Sequence, residues 1–530
     1  MSVESFSNYD SVRKLKELSE HPYDLTAEGA LSEERMEFFS ANDNVCSYIY
    51  AMERLDQLVL DALFDLSIES RVIEKMELMQ KGSVMNFMEG GLSGENRKVL
   101  HTAARSWVNV SVSENLSEEE KRFAKECHKL ESFINRIHKE KRFNTVLQIG
   151  IGGSELGPKA VYCALEAFAI PGYKAFFLSN IDPDAADSIL KTVNLKTTLV
   201  IVVSKSGITQ ETAVNEKLIA EEFKKRGLDP KEHFVAVTQE KSPMDDSSNY
   251  LEVFYMWDYV GGRYSVTSMV GGVVLSFALG YENFRKFLEG AAYVDKMALI
   301  TDFRKNIPLL MAMIGIWNRN FLGLPTLAVL PYAEPLFQFP AHLQQCDMES
   351  NGKRVNRKGQ ILGFSTAPVV WGEPGTNGQH SFYQFLHQGT DIVSIEFIGF
   401  KRKQSDTDIV IEGTTSHQKL IANLFAQSIA LAKGQIDDDP NKNFPGNRPN
   451  SLLLFDRLDP YVMGYLLALY ENKIIFQGFC WGINSFDQEG VQLGKVLASR
   501  VLDIMSGRIQ KGVFPEADAL IKRLSDLKKF

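Results

Sequence analysis

The chain has 530 residues, of which 44% are hydrophobic and 24% are charged, so it is a globular protein with enough apolar side chains for two domains. Its formal net charge of −9 argues against a nucleic acid as the main partner, because such partners favour a clustered basic surface. The cysteines are odd in number and lack CxxC spacing, which excludes a disulfide framework and a zinc site of the usual spacing. They are Cys46, Cys127, Cys163, Cys346 and Cys480.

The N-terminal sequence indicates the compartment. Its first 21 residues contain neither the apolar segment of a signal peptide nor a small-residue cleavage site. No run of about 18 apolar residues occurs in the sequence. We therefore expect a cytoplasmic protein that has no membrane partner and keeps its cysteines reduced.

Apolar residues repeat at helical spacing near the N-terminus. Within residues 48–66, spacings of three and four residues separate Leu55, Leu58, Val59, Leu63 and Leu66. This pattern is typical of an amphipathic helix. The first hundred or so residues therefore predict a helical region.

From residue 145 onward, short β-rich runs alternate with helical segments. The first set of predicted strands comprises residues 145–149, 173–178, 198–203, 234–238 and 253–256. Near-continuous apolar strands that alternate with helices predict a parallel sheet covered on both faces. A second set comprises residues 326–330, 369–371 and 392–400, with a helix at 418–433, and predicts a second α/β layer.

The remaining C-terminal segments predict a loop and an arm. Residues 437–450 combine proline, glycine and charged residues, which predicts a surface loop. Residues 488–504 and 516–529 predict helices that form a terminal arm.

A glycine-rich turn, GIGGS at 150–154, follows the first strand of the parallel set and precedes a helix. Glycines let the backbone approach an anion, and the free amides at a helix start point towards it. A dinucleotide site is disfavoured because Glu155 replaces the third glycine of GxGxxG, and no Walker A spacing is present. On local grounds, an anion cradle that includes Gly153 and Ser154 competes with a plain strand-to-helix turn.

A second loop, SKSGIT at 204–209, follows the strand at 198–203. Its hydroxyl groups can donate to phosphate oxygens, although Ser206 or Thr209 could also simply cap the next helix. Two loops at the carboxyl ends of strands in one sheet converge where α/β folds bind ligands. The pair resembles the sugar isomerase (SIS) domain. That resemblance implies phosphate-binding positions at Ser154, Ser204, Lys205, Ser206 and Thr209.

The sequence DYVGGRYSVTS at 258–268 contains a candidate cation, Arg263. Gly261 and Gly262 precede it and would let a ligand approach closely. On local grounds an ion pair between Arg263 and Asp258 across a turn is an equal alternative.

The sequence QQCDMESNGK at 344–353 contains a candidate base, Glu349. We expect a helix that Asn351 and Gly352 end through a left-handed cap. Glu349 would then lie in the last turn, where the helix dipole disfavours a carboxylate and makes it a better proton acceptor. A solvated glutamate is the alternative.

Two histidines follow in residues 371–390, which are rich in turn formers up to Gln379 and then helical. His380 would begin the helix and is a candidate acid or base, because histidine titrates near neutral pH. A hydrogen-bonded structural role is the alternative for His380. We expect such a role for His387, two turns later.

The sequence FDQEGVQLGK at 486–495 sets Gln488 and Lys495 seven residues apart, which predicts both side chains on one helix face. An amide and a cation on one face suit a sugar hydroxyl or a phosphate, although a solvated surface is the commoner meaning. With the preceding GINS at 482–485, the stretch resembles the C-terminal signature of phosphoglucose (glucose-6-phosphate) isomerases.

The resemblance extends along nearly the whole chain. It includes GENRKVLHTAARSW at 94–107, LSNIDPD at 178–184, and the segments that carry Arg263 and Glu349. Two departures occur: Cys346 stands where the family commonly has glycine, and Gln492 follows Val491 where glutamate is usual. We expect the second change to affect only a supporting contact.

The resemblance implies an α/β fold with two SIS-like doubly wound parallel-sheet domains of αβα type, a helical N-terminal region and a C-terminal helical arm. The predicted boundaries are 1–112 for the helical part of the large domain, 113–280 for the small SIS domain with the phosphate loops, 281–487 for the large SIS domain and 488–530 for the arm. It also implies a homodimer in which His380 enters the neighbouring subunit's site.

The implied reaction is the reversible aldose–ketose isomerisation of glucose 6-phosphate and fructose 6-phosphate, without metal or organic cofactor. Such a reaction needs a base and a fixed cation. The resemblance assigns proton transfer between C1 and C2 to Glu349 and stabilisation of the enediolate to Arg263. It assigns ring opening to His380, assisted by Lys495.

Gln345 and Gln488 are implied to contact sugar hydroxyls or to order a water molecule. Two alternatives stay open. A non-catalytic sugar-phosphate-binding SIS protein would use the same loops without needing Glu349, Arg263 and His380 together. An isomerase that also accepts mannose 6-phosphate differs only in how it treats the C2 epimer, which residue types do not reveal.

Overall fold

A computed structural model describes residues 6–92, 94–109, 116–510, 512–525 and 527. The chain divides into two compact units, Met1–Ser485 and Phe486–Phe530. The first unit contains the strands, whereas the described part of the second is helical. Both sheets of the predicted α/β layers belong to the first unit, and the boundaries near residues 112 and 280 stay a prediction.

Fifteen strands occur in the described ranges, and they are numbered in chain order. They are β1 Ser40–Asn42, β2 Cys46–Ile49, β3 Val84–Asn86, β4 Arg97–Lys98, β5 Thr145–Ile149, β6 Lys174–Leu178, β7 Thr198–Val203, β8 Phe234–Thr238, β9 Glu252–Tyr255, β10 Thr326–Pro331, β11 Val369–Trp371, β12 Ser394–Arg402, β13 Val410–Ile411, β14 Thr414–Thr415 and β15 Asn450–Arg457.

Nineteen α-helices occur in the same ranges. They are α1 Asp10–Leu18, α2 Glu33–Phe38, α3 Gln57–Glu69, α4 Val72–Gln80, α5 Ala103–Ser106, α6 Glu118–Glu140, α7 Leu156–Leu165, α8 Pro183–Thr192, α9 Gln210–Lys225, α10 Met269–Leu279, α11 Tyr281–Met297, α12 Ile307–Ile316, α13 Phe339–Gln344, α14 Gly375–Gln379, α15 Tyr383–Gln388, α16 Ser416–Lys433, α17 Pro460–Trp481, α18 Gln492–Met505 and α19 Pro515–Ser525.

The first sheet has five parallel strands in the order β6-β5-β7-β8-β9. All six residues of β7 are buried, as expected for a central strand covered on both faces. The chain leaves β5 first towards β6 and later continues on the other side at β7. This order creates a crevice beyond the carboxyl ends of β5 and β7, where such sheets bind ligands. The predicted strands at 145–149, 198–203 and 234–238 are confirmed with these bounds.

The second sheet has six strands in the order β1-β2-β15-β12-β10-β11. Strands β10, β11, β12 and β15 are parallel, whereas β2 pairs antiparallel with both β15 and β1. The described architecture confirms the predicted α/β class with two sheets built mainly of parallel strands.

The predicted helix over residues 48–66 is wrong in its first part. Tyr48 lies in β2, opposite Leu453 of β15, and α3 begins only at Gln57. Asp56 caps α3, because its side chain accepts a hydrogen bond from the amide of Val59. The helical spacing of apolar residues starts at Leu55. The residues before Leu55 include the end of β2 and should not have been counted with the helix.

Strand β15 and helix α17 were not predicted, although both are central. All residues of α17 except Tyr461 are buried, so the helix shows no polar face that would mark its period. Asp459 caps its start and Gly482, at φ +68°, ends it. The predicted loop at 437–450 is confirmed up to Asn450, where β15 begins.

The second unit contains α18 and α19. The predicted helix at 488–504 starts at Gln492, and the predicted helix at 516–529 extends beyond the described residues. Among the helices of the described ranges, none combines the length and apolar character needed to cross a membrane.

Candidate active site

The first glycine loop forms a tight turn after β5. Gly152–Ser154 is a 3-10 turn, and Gly152 has φ +62°, a conformation that favours glycine. A Cβ added at Gly153 would lie 2.0 Å from the carbonyl oxygen of Gly262, so the two backbones are in direct contact. This contact joins the loop to the turn that carries Arg263.

The second loop holds its hydroxyl groups by short-range hydrogen bonds. The Ser204 hydroxyl oxygen accepts from the amide of Gly207 at 3.1 Å and lies 3.0 Å from the Thr209 hydroxyl oxygen. Ser206 accepts from the amide of Ile208 at 3.3 Å. The Thr209 side chain makes no capping bond to α9, so capping does not explain its hydroxyl.

The two loops lie side by side because β5 and β7 are neighbours. A Cβ added at Gly150 would lie 3.3 Å from the Cβ of Val203, the last residue of β7. Helix α9 begins at Gln210, directly after the second loop. Its free N-terminal amides therefore add to the hydroxyls at this edge of the sheet, as in an anion site.

Lys205 joins the second loop to the segment before Arg263. Its Nζ donates to the carbonyl oxygens of Asp258 and Val260, each at 3.3 Å. Burial, together with the nearby positive charge of Arg97, lowers the pKa of Lys205 to about 8. A dianionic ligand at this loop would therefore hold Lys205 in its protonated form.

Arg263 is buried in the 3-10 turn Gly262–Tyr264, with 2% of its surface exposed. Its Nη1 lies 3.2 Å from Oε1 of Glu349. Its Nε donates to the hydroxyl of Ser350 and its Nη2 to the carbonyl oxygen of Ser485, each at 2.6 Å. Arg263 therefore pairs with the predicted base and not with Asp258, the local alternative.

Glu349 lies at the end of a π turn. Helix α13 runs into the π turn Gln345–Glu349, and helical structure continues to Asn351. The Glu349 side chain is 23% exposed, so one side faces the Arg263 guanidinium and another is open to a ligand. Glu349 is therefore not a solvated surface glutamate, which was the local alternative.

The predicted left-handed cap at Gly352 is wrong. Gly352 is not in the left-handed region; its amide donates to the carbonyl oxygen of Met348 at 3.0 Å. A Cβ at Gly352 would lie 2.3 Å from that oxygen. Glycine is needed here for a close backbone approach and not for a positive φ.

Gln345 lies over the first glycine loop. A Cβ added at Gly152 would be 3.2 Å from Nε2 of Gln345. The Gln345 Oε1 is buried and has no hydrogen-bond partner within the described residues. The amide therefore has an acceptor free for a ligand hydroxyl beside the loop.

Two residues that the sequence did not indicate hold Arg263 in place. The Tyr264 hydroxyl lies 2.7 Å from the Ser350 hydroxyl, which in turn accepts from Arg263. The Tyr264 ring stacks on His101 with 4.9 Å between ring centroids. Their only sequence signal was that Tyr264 and Ser350 adjoin the two candidate residues.

His380 is not brought to this pair within the single chain. It is the residue that follows α14, which begins at Gly375, so the expectation that His380 begins a helix is wrong. Its side chain is exposed, and no hydrogen bond joins it to Glu349 in the described part of the chain. The structural role predicted for His387 is confirmed, because its Nε2 lies 2.8 Å from Oε1 of Gln427.

Gln488 and Lys495 belong to the second unit and do not share a helix. Gln488 has a non-helical backbone, with φ −147° and ψ 47°, and precedes the 3-10 turn Glu489–Val491. Helix α18 begins at Gln492 and carries Lys495, whose side chain is exposed. The predicted shared face is therefore wrong, since Gly490, a poor helix residue, lies within the interval.

A family model described as phosphoglucose isomerase matches residues 49–521. The chain belongs to the phosphoglucose isomerase family. A glucose-6-phosphate isomerase from Chlamydia caviae is 55% identical over 530 residues and covers 100% of both chains. One from Chlamydia pneumoniae is 54% identical over 522 residues, 98% of each chain.

A solved structure extends the likeness to the fold. The crystal structure of a glucose-6-phosphate isomerase from Chlamydia trachomatis matches with a TM-score of 0.94 and 51% identity, covering 99% of this chain and 100% of that one. The resemblance seen in the sequence and the α/β fold of the phosphoglucose isomerase family are therefore confirmed.

In this member of the phosphoglucose isomerase family, a carboxylate and a buried guanidinium lie together beside two loops with free donors. Such an arrangement can take a proton from carbon and stabilise the negative oxygen that forms. Within the described ranges, no group of three or more His, Cys, Asp or Glu side chains is placed to hold a metal ion.

Proposed function

We propose that the chain is a glucose-6-phosphate isomerase, which interconverts D-glucose 6-phosphate and D-fructose 6-phosphate. The observation that carries this proposal is the pair of Glu349 and Arg263, 3.2 Å apart, next to the two glycine loops. Relatives that are 52–55% identical over nearly their full length and named glucose-6-phosphate isomerase support it.

The proton is moved by Glu349. In the aldose-to-ketose direction its carboxylate removes the proton from C2, the C2 electron pair forms the C1–C2 double bond, and the carbonyl oxygen at C1 becomes negative. Arg263 stabilises that enediolate charge from a site with little exposure to water, where electrostatic stabilisation is strong. A proton then passes from the C2 hydroxyl to the negative oxygen at C1. The protonated Glu349 returns its proton to C1, the C1–C2 double bond becomes a single bond, and the carbonyl forms at C2.

The phosphate is held by the loop half of the site. The hydroxyls of Ser154, Ser204, Ser206 and Thr209 and the amides at the start of α9 supply donors. Lys205 supplies the charge. Gln345 contacts a sugar hydroxyl through its free Oε1. Because these groups contact the substrate away from C1 and C2, they contribute mainly to binding.

Ring opening is assigned to His380, assisted by Lys495, with Gln488 contacting a sugar hydroxyl. His380 is exposed in the single chain, and this exposure supports a homodimer in which it completes the partner's site. The assignment otherwise rests on the family signature. The protein acts in the cytoplasm and needs neither metal nor organic cofactor, because a carboxylate and a guanidinium suffice for the proton transfer.

The test is the conversion of fructose 6-phosphate into glucose 6-phosphate, followed through a coupled dehydrogenase, with chelator present. We expect robust turnover by the purified protein. Glu349→Gln should lose about 10²- to 10⁴-fold in kcat while it keeps substrate binding, since general base catalysis contributes that much. Sugar-phosphate binding without turnover by the unaltered protein would instead indicate a binding protein.

A further inference from the structure

A small, partly open cavity borders the π turn that carries Glu349. It has a volume of about 20 Å³. Its polar lining consists of Arg319, Thr326 and Ser394 together with six deeply buried residues, which are Glu53, Asn318, Asp347, Glu396, Lys473 and Gln477. Each of these six is 6% exposed or less. A volume of this size holds about one water molecule. We call it the carboxyl cavity.

Both π turns of the described part of the chain contribute to the carboxyl cavity. Asn318 belongs to the π turn Trp317–Phe321 and Asp347 to the π turn Gln345–Glu349. A π turn is rare and often marks a functional site. Because both π turns line the same cavity, we infer that the cavity and the two widened turns form one structural feature.

Apart from the Thr326 hydroxyl, which can donate or accept, the free side-chain atoms that line the cavity in the described residues are acceptors. Within the described residues, Oδ1 of Asn318, Oδ1 of Asp347 and Oε1 of Gln477 are buried and have no partner. The two amides are oriented by their other ends: Nδ2 of Asn318 donates to Oε2 of Glu53 at 3.0 Å, and Nε2 of Gln477 donates to the carbonyl oxygen of Ala312 at 3.3 Å. The cavity therefore accepts a hydrogen-bond donor and repels an anion.

The charged residues of the lining further restrict the kind of ligand that the cavity can bind. The Lys473 ammonium pairs with Glu396, which leaves Glu53 and Asp347 as carboxyls without a cation of their own. Burial raises the pKa of Glu53 to about 8 and that of Asp347 to about 7; the Lys473 charge opposes both shifts, and the Glu396 charge adds to them. The one other charged residue in the lining, Arg319, directs its Nε to the carbonyl oxygen of Thr366.

A neutral donor fits this environment better than a metal ion. No cluster of three His, Cys, Asp or Glu side chains in the described ranges can hold a metal, and Lys473 already occupies the cationic position. Water can donate two protons to the free oxygens and accept a carboxyl proton, so it satisfies both kinds of group.

Asp347 and Glu349 are two residues apart on one π turn and face different surroundings. Asp347 lines the carboxyl cavity, whereas Glu349 pairs with Arg263. We propose that the carboxyl cavity holds an ordered water molecule, and that Asp347, bound to this water, is a positioning residue for the turn that carries Glu349. The positioning role rests on the proposed function, whereas the water site does not.

The kinetic test compares Asp347→Ala with Asp347→Asn and with Met348→Ala, a control in the same turn. Asp347→Ala should lower kcat by about 10- to 100-fold, because a base displaced by about 1 Å costs that much. KM should change by less than about twofold, since the loops that hold the phosphate lie elsewhere. Asp347→Asn, which keeps the oxygen acceptor, and Met348→Ala should stay within about threefold of the original kcat.

An unchanged kcat in Asp347→Ala overturns the positioning role, and so does an Asp347→Asn variant as impaired as Asp347→Ala. A crystal structure of the unaltered protein tests the water site independently of activity and of the folding of any variant. Water density within hydrogen-bond distance of Asp347 and of either amide oxygen supports the proposal. A cavity without density, or with an ion, overturns it. An unaltered protein without isomerase activity refutes the proposed function and leaves the crystallographic result standing.

Discussion

The two glycine loops and the Arg263–Glu349 pair are built by different means. In the second loop, Ser204 finds its partners Gly207 and Thr209 within five residues. Arg263 is held by Ser350 and Ser485, which are 87 and 222 residues away. An anion cradle can thus form from one strand end and one helix start, whereas the proton-transfer pair exists only when distant segments have packed together.

Among the substitutions that test this difference, we expect the largest loss of activity from Arg263→Lys. One ammonium cannot reproduce the planar contacts to Glu349, Ser350 and Ser485. We expect kcat to fall by about 10²- to 10³-fold, as when a preorganised donor is removed. Steady-state kinetics test this, with Arg285→Lys, an exposed residue paired with Glu289, as the control. A kcat close to normal would show that charge alone, without the long-range contacts, is sufficient.

Gly153→Ala should disturb the point where the two halves meet. Its Cβ would lie 2.0 Å from the carbonyl oxygen of Gly262, so the backbones must separate. We expect a loss of about 1–3 kcal/mol in the free energy of unfolding, typical of overpacking. Denaturant melts measure this loss.

The matched control for Gly153→Ala is the opposite partner of the same contact. A Cβ added at Gly262 meets no atom within 4 Å, so Gly262→Ala should keep the free energy of unfolding. Equal losses of unfolding free energy in both variants would contradict the expectation that only a side chain at Gly153 collides with the opposite backbone.

Removing single hydroxyls from the second loop should have a smaller effect, confined to binding. Ser204→Ala or Thr209→Ala each removes one donor to the phosphate, worth about 1–1.5 kcal/mol. KM should therefore rise by about tenfold with kcat retained. Thr192→Ala is the control, because its exposed hydroxyl donates to the Ser188 carbonyl oxygen within α8. A fall in kcat at constant KM would instead show that these residues act in proton transfer and not in phosphate binding.

The last prediction concerns stability and not activity, and it tests a residue outside both halves. Burial raises the pKa of Glu53 to about 8 in the folded protein, above its ordinary value of 4.5. The folded state therefore holds a proton that the unfolded state releases, and stability falls as pH rises from about 4.5 to about 8. Glu53→Gln should flatten this decline in the thermal midpoint, whereas Glu77→Gln, at an exposed pair with Lys81, should not. If the thermal midpoint of Glu53→Gln keeps the original pH dependence, a group other than Glu53 causes that dependence.

Local patterns explain which parts could be predicted from the sequence. Strands β5 and β7 are mostly apolar runs followed by glycine or serine, so their bounds and the loops after them follow from a few adjacent residues. Glu349 and Arg263 were found because the family resemblance identified their segments. Their pairing at 3.2 Å needed the fold.

The rest depended on contacts that no local window contains. Tyr48 became part of a strand because β15 offers it a partner far along the chain. The π turn at Gln345–Glu349 differs from an α-helix by one inserted residue, which side-chain periodicity does not reveal. Asp347 and Ser350 looked like ordinary helix positions until the cavity and Arg263 were placed against them.

The pairing of β2 with β15 has a consequence for synthesis. Ile49 pairs with Leu452, so β2 leaves the ribosome about 400 residues before its neighbour in the sheet does. At roughly 5–20 residues per second, the N-terminal hairpin β1–β2 waits for tens of seconds with an open edge. Open strand edges pair readily with other chains, so the nascent protein needs protection during most of its translation.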